Sequence, residues 1–111
     1  MKMKLRSKPA APCCPAVDPM LNAAPEHVES FKALAHLGRL QVFFYLVKAG
    51  QPVAVHSVQT ALKLPGPTLS HHLDDLERAG LILRERKERY IFSTVKREQV
   101  LELVRLLTAC C

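Results

Sequence analysis

The amino-acid sequence predicts a mainly helical domain that carries a small β-hairpin, an α+β fold. Two observations predict it. Apolar residues recur at three- and four-residue spacing along five segments, which is the periodicity of amphipathic helices. Residues 81–95 break that period and place β-branched and aromatic residues on both sides of a charged centre, as two strands and a turn would. With 111 residues the chain forms one domain at most, and pairing with a second copy would help to bury apolar surface.

Residues 1–25 are predicted to be a flexible basic arm, and residues 26–111 the folded domain. The arm holds five of the eight prolines together with Lys and Arg, a composition that buries too little apolar surface to order itself. No long apolar run follows the arm or occurs elsewhere, so we expect a cytoplasmic protein without a membrane partner. In a reducing compartment the two adjacent cysteine pairs, Cys13-Cys14 and Cys110-Cys111, are expected to act as ligands or sensors rather than as disulfides.

The first two helices follow the arm. The first begins at Glu26, whose carboxylate suits a helix start, and one face carries Val28, Phe31, Leu34 and Ala35. The second occupies residues 36–50 and is predicted to be the core pillar, ending at Gly50. Its apolar stripe consists of Leu37, Leu40, Phe43, Phe44 and Val47.

Two short helices with a tight break between them predict a helix-turn-helix. The first of them should point Val55, Val58 and Leu62 inward, and Pro65-Gly66-Pro67 then breaks the chain. The second runs to Gly80 with Leu69, Leu73 and Leu76 on its buried face. Its solvent side holds Thr68, Ser70, His71, Asp74 and Asp75.

A basic hairpin and a last helix complete the predicted order α-α-α-α-β-β-α. The hairpin tip is expected at residues 85–88, with Arg84, Arg86, Lys87 and Arg89 making it strongly cationic. The last helix has an apolar stripe on which Cys110 and Cys111 also fall; its other members are Val100, Leu103, Val104 and Leu107. This order is that of a winged helix-turn-helix, whose second motif helix enters the major groove of DNA.

The charge balance favours a nucleic-acid partner and disfavours an enzyme. Sixteen Lys and Arg against ten Asp and Glu give a formal charge of +6, which suits double-stranded DNA. The sequence contains no C-x-x-C spacing, no Cys-His pair with an orienting carboxylate and no Gly-rich phosphate loop. We therefore expect a DNA-binding protein without catalytic residues.

Two stretches, "ALAHLGRLQVFFYLV" and "ALKLPGPTLSHHLDDLERAGLILRERKERYIFS", resemble the ArsR family of dimeric metalloregulatory repressors, and the resemblance spans residues 28–107. It implies an operator-binding homodimer that pairs through its first and last helices and needs no cofactor to bind DNA. It also implies two sets of DNA contacts. Thr68, Ser70 and His71 would face the bases, and Arg86, Lys87 and Arg89 would hold phosphates.

The sequence departs from this family at three places. Arsenic-responsive members often carry Cys-Val-Cys where this chain has Ala54-Val55-His56, so that inducer site is absent. The last helix lacks the histidine and carboxylate set of zinc-sensing relatives. His36-Leu37 replaces the usual Asp-Pro, which should weaken the N-cap of the second helix. His72, like His27, His36 and His56, is interpreted as a packed structural histidine rather than a ligand.

The inducer is expected to be trivalent arsenic or antimony, because some members of the family place their inducer thiols as adjacent pairs in the arm or near the last helix, and this chain has both. Such centres are most stable with three thiolates, which a single pair cannot supply. We therefore expect Cys13 and Cys14 of one subunit to approach Cys110 and Cys111, most simply of the other. A methylated trivalent arsenical would need only two thiolates. The main alternative is a thiol-redox or persulfide sensor built on the same DNA-binding module.

Overall fold

The computed structural model describes residues 24–108, so all four cysteines and nearly the whole predicted arm lie outside the described residues. The elements in chain order are α1 (Pro25–Leu34), α2 (Leu37–Ala49), β1 (Val53–Ala54), α3 (Val55–Leu62), α4 (Gly66–Arg78), β2 (Ile82–Lys87), β3 (Tyr90–Val95) and α5 (Arg97–Leu107). The predicted fold class and element order are confirmed with one addition, the short strand β1. Helix α1 begins at Pro25, one residue before the predicted domain boundary. Within the described residues no helix has both the length and the apolar composition of a membrane span.

The strands form an antiparallel sheet in the order β1-β3-β2. Strand β1 pairs Val53 with Ser93, and it was missed because two residues are too few to show an alternating pattern. The predicted hairpin tip is also wrong, because β2 continues to Lys87 and only two residues separate it from Tyr90. Both faces of a protruding two-stranded ribbon meet solvent, so charged residues remain in the strands. Glu88 in the turn adopts the left-handed φ of 60°.

The core lies where α2, α3 and α4 meet the base of the sheet. The predicted inward residues of α4, Leu69, Leu73 and Leu76, are buried as expected. Of the three predicted on α3, Val58 is fully buried, while Val55 and Leu62 pack against the core from its edge. The buried apolar residues are Ala33, Val42, Phe43, Leu46, Val58, Leu69, Leu73, Leu76, Leu81, Ile82 and Leu103.

Helix α2 is the predicted pillar, but it faces the core with different residues from those expected. Val42, Phe43 and Leu46 are buried, whereas 72% of Leu37 and 57% of Phe44 remain exposed. The assignment of Leu37, Phe44 and Val47 to the core was therefore wrong. The helix is apolar on two sides, and periodicity alone could not tell which side the protomer covers.

Helices α1 and α5 also leave apolar side chains in solvent. Helix α1 buries His27, Ser30 and Ala33, while the predicted apolar residues Val28 and Phe31 are 50% and 38% exposed. Helix α5 buries Leu103, whereas Leu101, Val104 and Leu107 are exposed. Together Val28, Phe31, Leu101, Val104 and Leu107 form what we call the outer apolar surface. Such a surface, spread over the first and last helices, is available for a partner.

The start of α2 is capped by histidine. The Nδ1 atom of His36 accepts hydrogen bonds from the backbone N–H groups of Gly38 at 3.1 Å and Arg39 at 3.4 Å. An imidazole nitrogen therefore caps this helix where the family usually has a carboxylate, and the expected weakening of the cap stays a prediction. His72 packs beside it, with ring centroids 5.1 Å apart. A Cβ at position 38 would lie 2.7 Å from Nε2 of His72, so a larger residue there would require the His72 ring to shift.

Candidate nucleic-acid interface

Helix α4 presents polar side chains on the side opposite its buried leucines. Thr68, Ser70 and His71 are all exposed near the start of the helix. Pro65 precedes the first turn with extended backbone, and Pro67 lies in that turn, where its missing N–H costs no intrahelical hydrogen bond. The local sequence therefore begins the helix abruptly and leaves two hydroxyls and an imidazole facing outward. These groups can donate hydrogen bonds to base edges and accept hydrogen bonds from them.

The wing is the hairpin of β2 and β3, and its outer end is cationic. Arg86, Lys87 and Arg89 are exposed, and Nε of Arg86 donates a 3.4 Å hydrogen bond to the backbone oxygen of Glu88. Within residues 24–108 none of these three side chains takes part in a salt bridge. Their charges are thus available to a polyanion, as predicted for phosphate contacts.

Arg84 differs from the other three cations of the hairpin. Its Nη2 atom donates hydrogen bonds of 2.6 Å to Oδ1 of Asp74 and of 2.6 Å to Oε1 of Glu77, and its Nε donates one of 2.9 Å to the same oxygen of Glu77. Burial lowers the pKa of Arg84, but the hydrogen bonds with Glu77 and Asp74 outweigh it and raise the pKa. The sequence-based grouping of Arg84 with the wing-tip cations is wrong, because its guanidinium is engaged by α4.

A second ion-pair group joins α2 to the same C-terminal half of α4. Nη1 of Arg39 lies 2.6 Å from Oδ2 of Asp75, and Nη1 of Arg78 lies 3.0 Å from Oδ1 of the same carboxylate. Burial would raise the pKa of Asp75, but the two arginines outweigh it and lower the pKa. Ser30 adds a link from α1, since its hydroxyl donates a 3.1 Å hydrogen bond to the backbone oxygen of Ala79. The C-terminal half of α4 is therefore linked by side chains to α1, α2 and β2.

His27 connects α1 to α5. Its Nδ1 accepts a 2.8 Å hydrogen bond from the backbone N–H of Ala24, which leaves Nε2 to donate to Oε2 of Glu102 at 2.6 Å. The residue is buried, so the predicted packed role is confirmed for His27. It is also confirmed for the half-buried His72, whose pKa is lowered by burial first and then by the nearby His36 and Arg39.

The packing expected for His36 is wrong, because this N-cap residue is exposed. The same prediction is wrong for His56, which lies in solvent. It borders a depression of about 420 Å³ beside the wing, lined by Ala54, Val55, His56, Arg89, Tyr90 and Ile91. Its lining residues offer one imidazole and no thiol. Within the part of the chain that the structure describes, no group of three or more His, Cys, Asp or Glu is placed to hold a metal ion. The predicted ligands Cys13, Cys14, Cys110 and Cys111 fall outside that part.

The architecture is similar to that of known transcriptional regulators. The family model for bacterial regulatory proteins of the arsR family matches residues 37–83, from the start of α2 into β2. An uncharacterised HTH-type transcriptional regulator from Methanocaldococcus jannaschii is 32% identical over 79 residues, which are 71% of this chain and 88% of that protein.

Solved structures show the same fold. A homodimeric winged helix-turn-helix DNA-binding domain from Mycobacterium bovis, a possible ArsR-family regulator, superposes with a TM-score of 0.64 at 27% identity, covering 76% of each chain. Reduced HlyU from Vibrio cholerae superposes with a TM-score of 0.60 at 28% identity, covering 74% of this chain and 87% of its own.

Proposed function

Because the chain belongs to the ArsR family of transcriptional regulators, we propose that it represses transcription as an operator-bound homodimer and releases the operator when cysteine thiolates bind trivalent arsenic or antimony. The observation that carries the DNA-binding part is the exposed polar start of α4 beside three exposed wing cations that form no salt bridge within residues 24–108.

In the proposed complex α4, the recognition helix, contacts bases and the wing contacts phosphates. Thr68, Ser70 and His71 enter the major groove on α4 and hydrogen-bond base edges or nearby phosphates. The side chains of Arg86, Lys87 and Arg89 contact phosphates and release counterions, which supplies affinity but little sequence preference.

The outer apolar surface supports a homodimer. Val28 and Phe31 of α1 and Leu101 and Val104 of α5 are large apolar residues that the protomer leaves in solvent. Burying them against a second copy removes apolar area from water and places two copies of α4 a fixed distance apart. The Mycobacterium bovis relative is itself a homodimer.

DNA binding is tested with a duplex that the purified protein enriches from a random-sequence pool. Arg86→Gln should weaken binding to all duplexes alike and lower the salt slope by about one per protomer. His71→Ala should instead reduce discrimination between sequences, by about 1–3 kcal/mol at the base it contacts. Arg105→Gln on α5 removes one cation outside the motif and is the matched control. Equal losses for Arg86→Gln and Arg105→Gln would contradict the assigned surface.

The inducer part of the proposal depends on the two cysteine pairs in the sequence. Trivalent arsenic and antimony are thiophilic, and four thiols grouped as Cys13-Cys14 and Cys110-Cys111 can supply the three donors that one pair cannot. The pairs flank the two helices that carry the outer apolar surface. A centre that joins thiolates from both ends would favour one arrangement of α1 and α5, and hence one spacing of the recognition helices.

This part is tested by titrating the operator complex with arsenite, antimonite and phenylarsine oxide. Micromolar arsenite should dissociate the wild-type complex and should not dissociate the Cys110→Ser/Cys111→Ser variant. The reciprocal Cys13→Ser/Cys14→Ser variant shows whether the arm supplies a required ligand. If both double variants still release DNA with arsenite, the cysteines are not the sensor.

A thiol-redox or persulfide sensor is the second candidate, and the similarity to reduced HlyU favours it. The same thiols would then form an intersubunit disulfide or polysulfide bridge, with an oxidant or polysulfide accepting the electrons. Diamide or polysulfide without metalloid should dissociate the operator complex, and dithiothreitol should restore it. Release by arsenite and no response to either oxidant would eliminate this candidate.

A further inference from the structure

We propose that Arg84 is a positioning residue that fixes the wing against the recognition helix, so that α4 and the wing cations meet DNA as one rigid unit. The proposal rests on the proposed DNA binding. It assigns to Arg84 a role different from that of Arg86, Lys87 and Arg89, which lie on the same hairpin.

The geometry of the contact is that of a clamp. One guanidinium makes three hydrogen bonds, of 2.6, 2.6 and 2.9 Å, to carboxylates of two residues on successive turns of α4, Asp74 and Glu77. The side chain of Arg84 is only 23% exposed. A planar guanidinium held by two acceptors has little rotational freedom, unlike a single exposed ion pair.

The clamp lies where the apolar contacts of the wing end. Leu81 and Ile82 at the base of the hairpin are buried in the core, whereas the next residue, Leu83, is 46% exposed. Within the described residues, Arg84 makes the ion pairs that join this hairpin to α4. Beyond it the ribbon from Glu85 to Ile91 is exposed. Strand β1 holds β3 at Phe92 and Ser93, and Arg84 holds the neighbouring strand β2 to α4. Because an isolated two-stranded ribbon is marginally stable, the attachment at Arg84 limits how far the exposed tip can move.

Because the partners of Arg84 are acidic, the clamp predicts whether removing them weakens or strengthens DNA binding. Asp74 and Glu77 are carboxylates on the recognition helix, and removing acidic groups near DNA ordinarily strengthens binding. If their main role is to hold Arg84, removing them must weaken binding, because a mobile wing loses conformational entropy when it docks on phosphates.

The first experiment measures the affinity of each variant by fluorescence anisotropy, using the duplex that the wild type enriches from a random pool. Asp74→Ala/Glu77→Ala should bind more weakly than the wild type. The matched control, Glu85→Ala, removes an exposed acid from β2 that has no salt bridge within residues 24–108 and should bind as tightly as the wild type or more tightly. Tighter binding by the double variant would overturn the clamp.

The second experiment is a double-mutant cycle between Arg84→Gln and Arg86→Gln. In the wild type the wing is held, so Arg86→Gln removes a full phosphate contact. In the Arg84→Gln background the wing is mobile and the contact of Arg86 is already weak, so the same substitution removes less binding free energy. The two substitutions should therefore be non-additive, with a coupling of about tenfold in Kd. Additive losses, with Arg84→Gln alone lowering the salt slope by about one per protomer, would show that Arg84 contacts phosphate directly and would overturn the proposal.

Folding is followed by thermal melting of each variant. Arg84→Lys keeps the charge but cannot form the forked contact, so it should melt near the wild type and bind DNA with intermediate affinity. If Arg84→Gln does not fold, the cycle is carried out with Arg84→Lys. Wild-type affinity in Arg84→Lys, with full additivity, would overturn the clamp while the proposed function stands. Failure of the wild type to enrich any duplex would overturn the proposed function itself.

Discussion

The helix-turn-helix and the outer helices use apolar residues differently. In α4, Leu69, Leu73 and Leu76 are fully buried, and the opposite side is polar. In α1 and α5, large apolar residues remain in solvent although each helix also buries one face. One protomer thus buries the apolar face of the recognition helix α4, whereas the outer helices carry more apolar surface than one protomer covers. This excess marks the surface that we assign to the second copy.

The largest effect is expected inside the motif. Leu73→Ala truncates a fully buried side chain of α4, so it should lower the free energy of unfolding by about 2–5 kcal/mol. Leu107→Ala makes the same chemical change at a residue that is 70% exposed, and should cost less than about 0.5 kcal/mol when the protein is dilute enough to be monomeric. Urea denaturation measures both. Equal losses would remove the distinction between the two regions.

A smaller but more specific effect is expected on the outer helices. Phe31→Glu places a charge in the outer apolar surface and should raise the dimer dissociation constant by about 30-fold or more, the effect of losing a central interface residue. Sedimentation equilibrium measures it. Leu83→Glu, an equally drastic change at an exposed apolar residue of the wing, should leave the dimer intact. Dissociation by Leu83→Glu alone would place the interface on the wing instead.

The smallest effect concerns His72 of α4, which packs beside His36 at the start of α2. The pKa of His72 is lowered from 6.5 by burial and by His36 and Arg39. Between that lowered pKa and 6.5 the unfolded chain binds more protons than the folded one, so stability is full above pH 6.5 and falls as the pH drops through this window. His72→Gln should flatten the decline of melting temperature from pH 7.5 to pH 5. The exposed His56→Gln should retain it, and an unchanged slope in His72→Gln would contradict the assignment.

Local signals predicted the elements well. Gly50 ends α2 with a left-handed φ of 65°, and Pro65 precedes α4, whose first turn contains Pro67. Turn and breaker residues act on their own backbone, so their effect can be predicted without knowing the fold. Strand β1 was missed for the complementary reason: two residues become a strand only because β3 passes beside them.

The candidate site was predictable as a list of residue types but not as a set of contacts. Thr68, Ser70 and His71 were expected to be exposed, and they are. Four hairpin cations looked alike in the sequence, yet Arg84 alone meets Asp74 and Glu77. Nothing in the sequence separation of 7 and 10 residues indicates that these charges meet across two elements.

The sequence by itself determined where helices and turns form, which helix faces are apolar and how much positive charge the wing carries, because propensity, periodicity and charge depend on nearby residues. Only the tertiary structure decided that α2 faces the core with Val42 and Leu46 rather than Leu37 and Phe44. It also decided that His36 caps α2 and that Arg84 is engaged by α4. Burial and pairing depend on which distant elements come together, and that is a property of the packed chain.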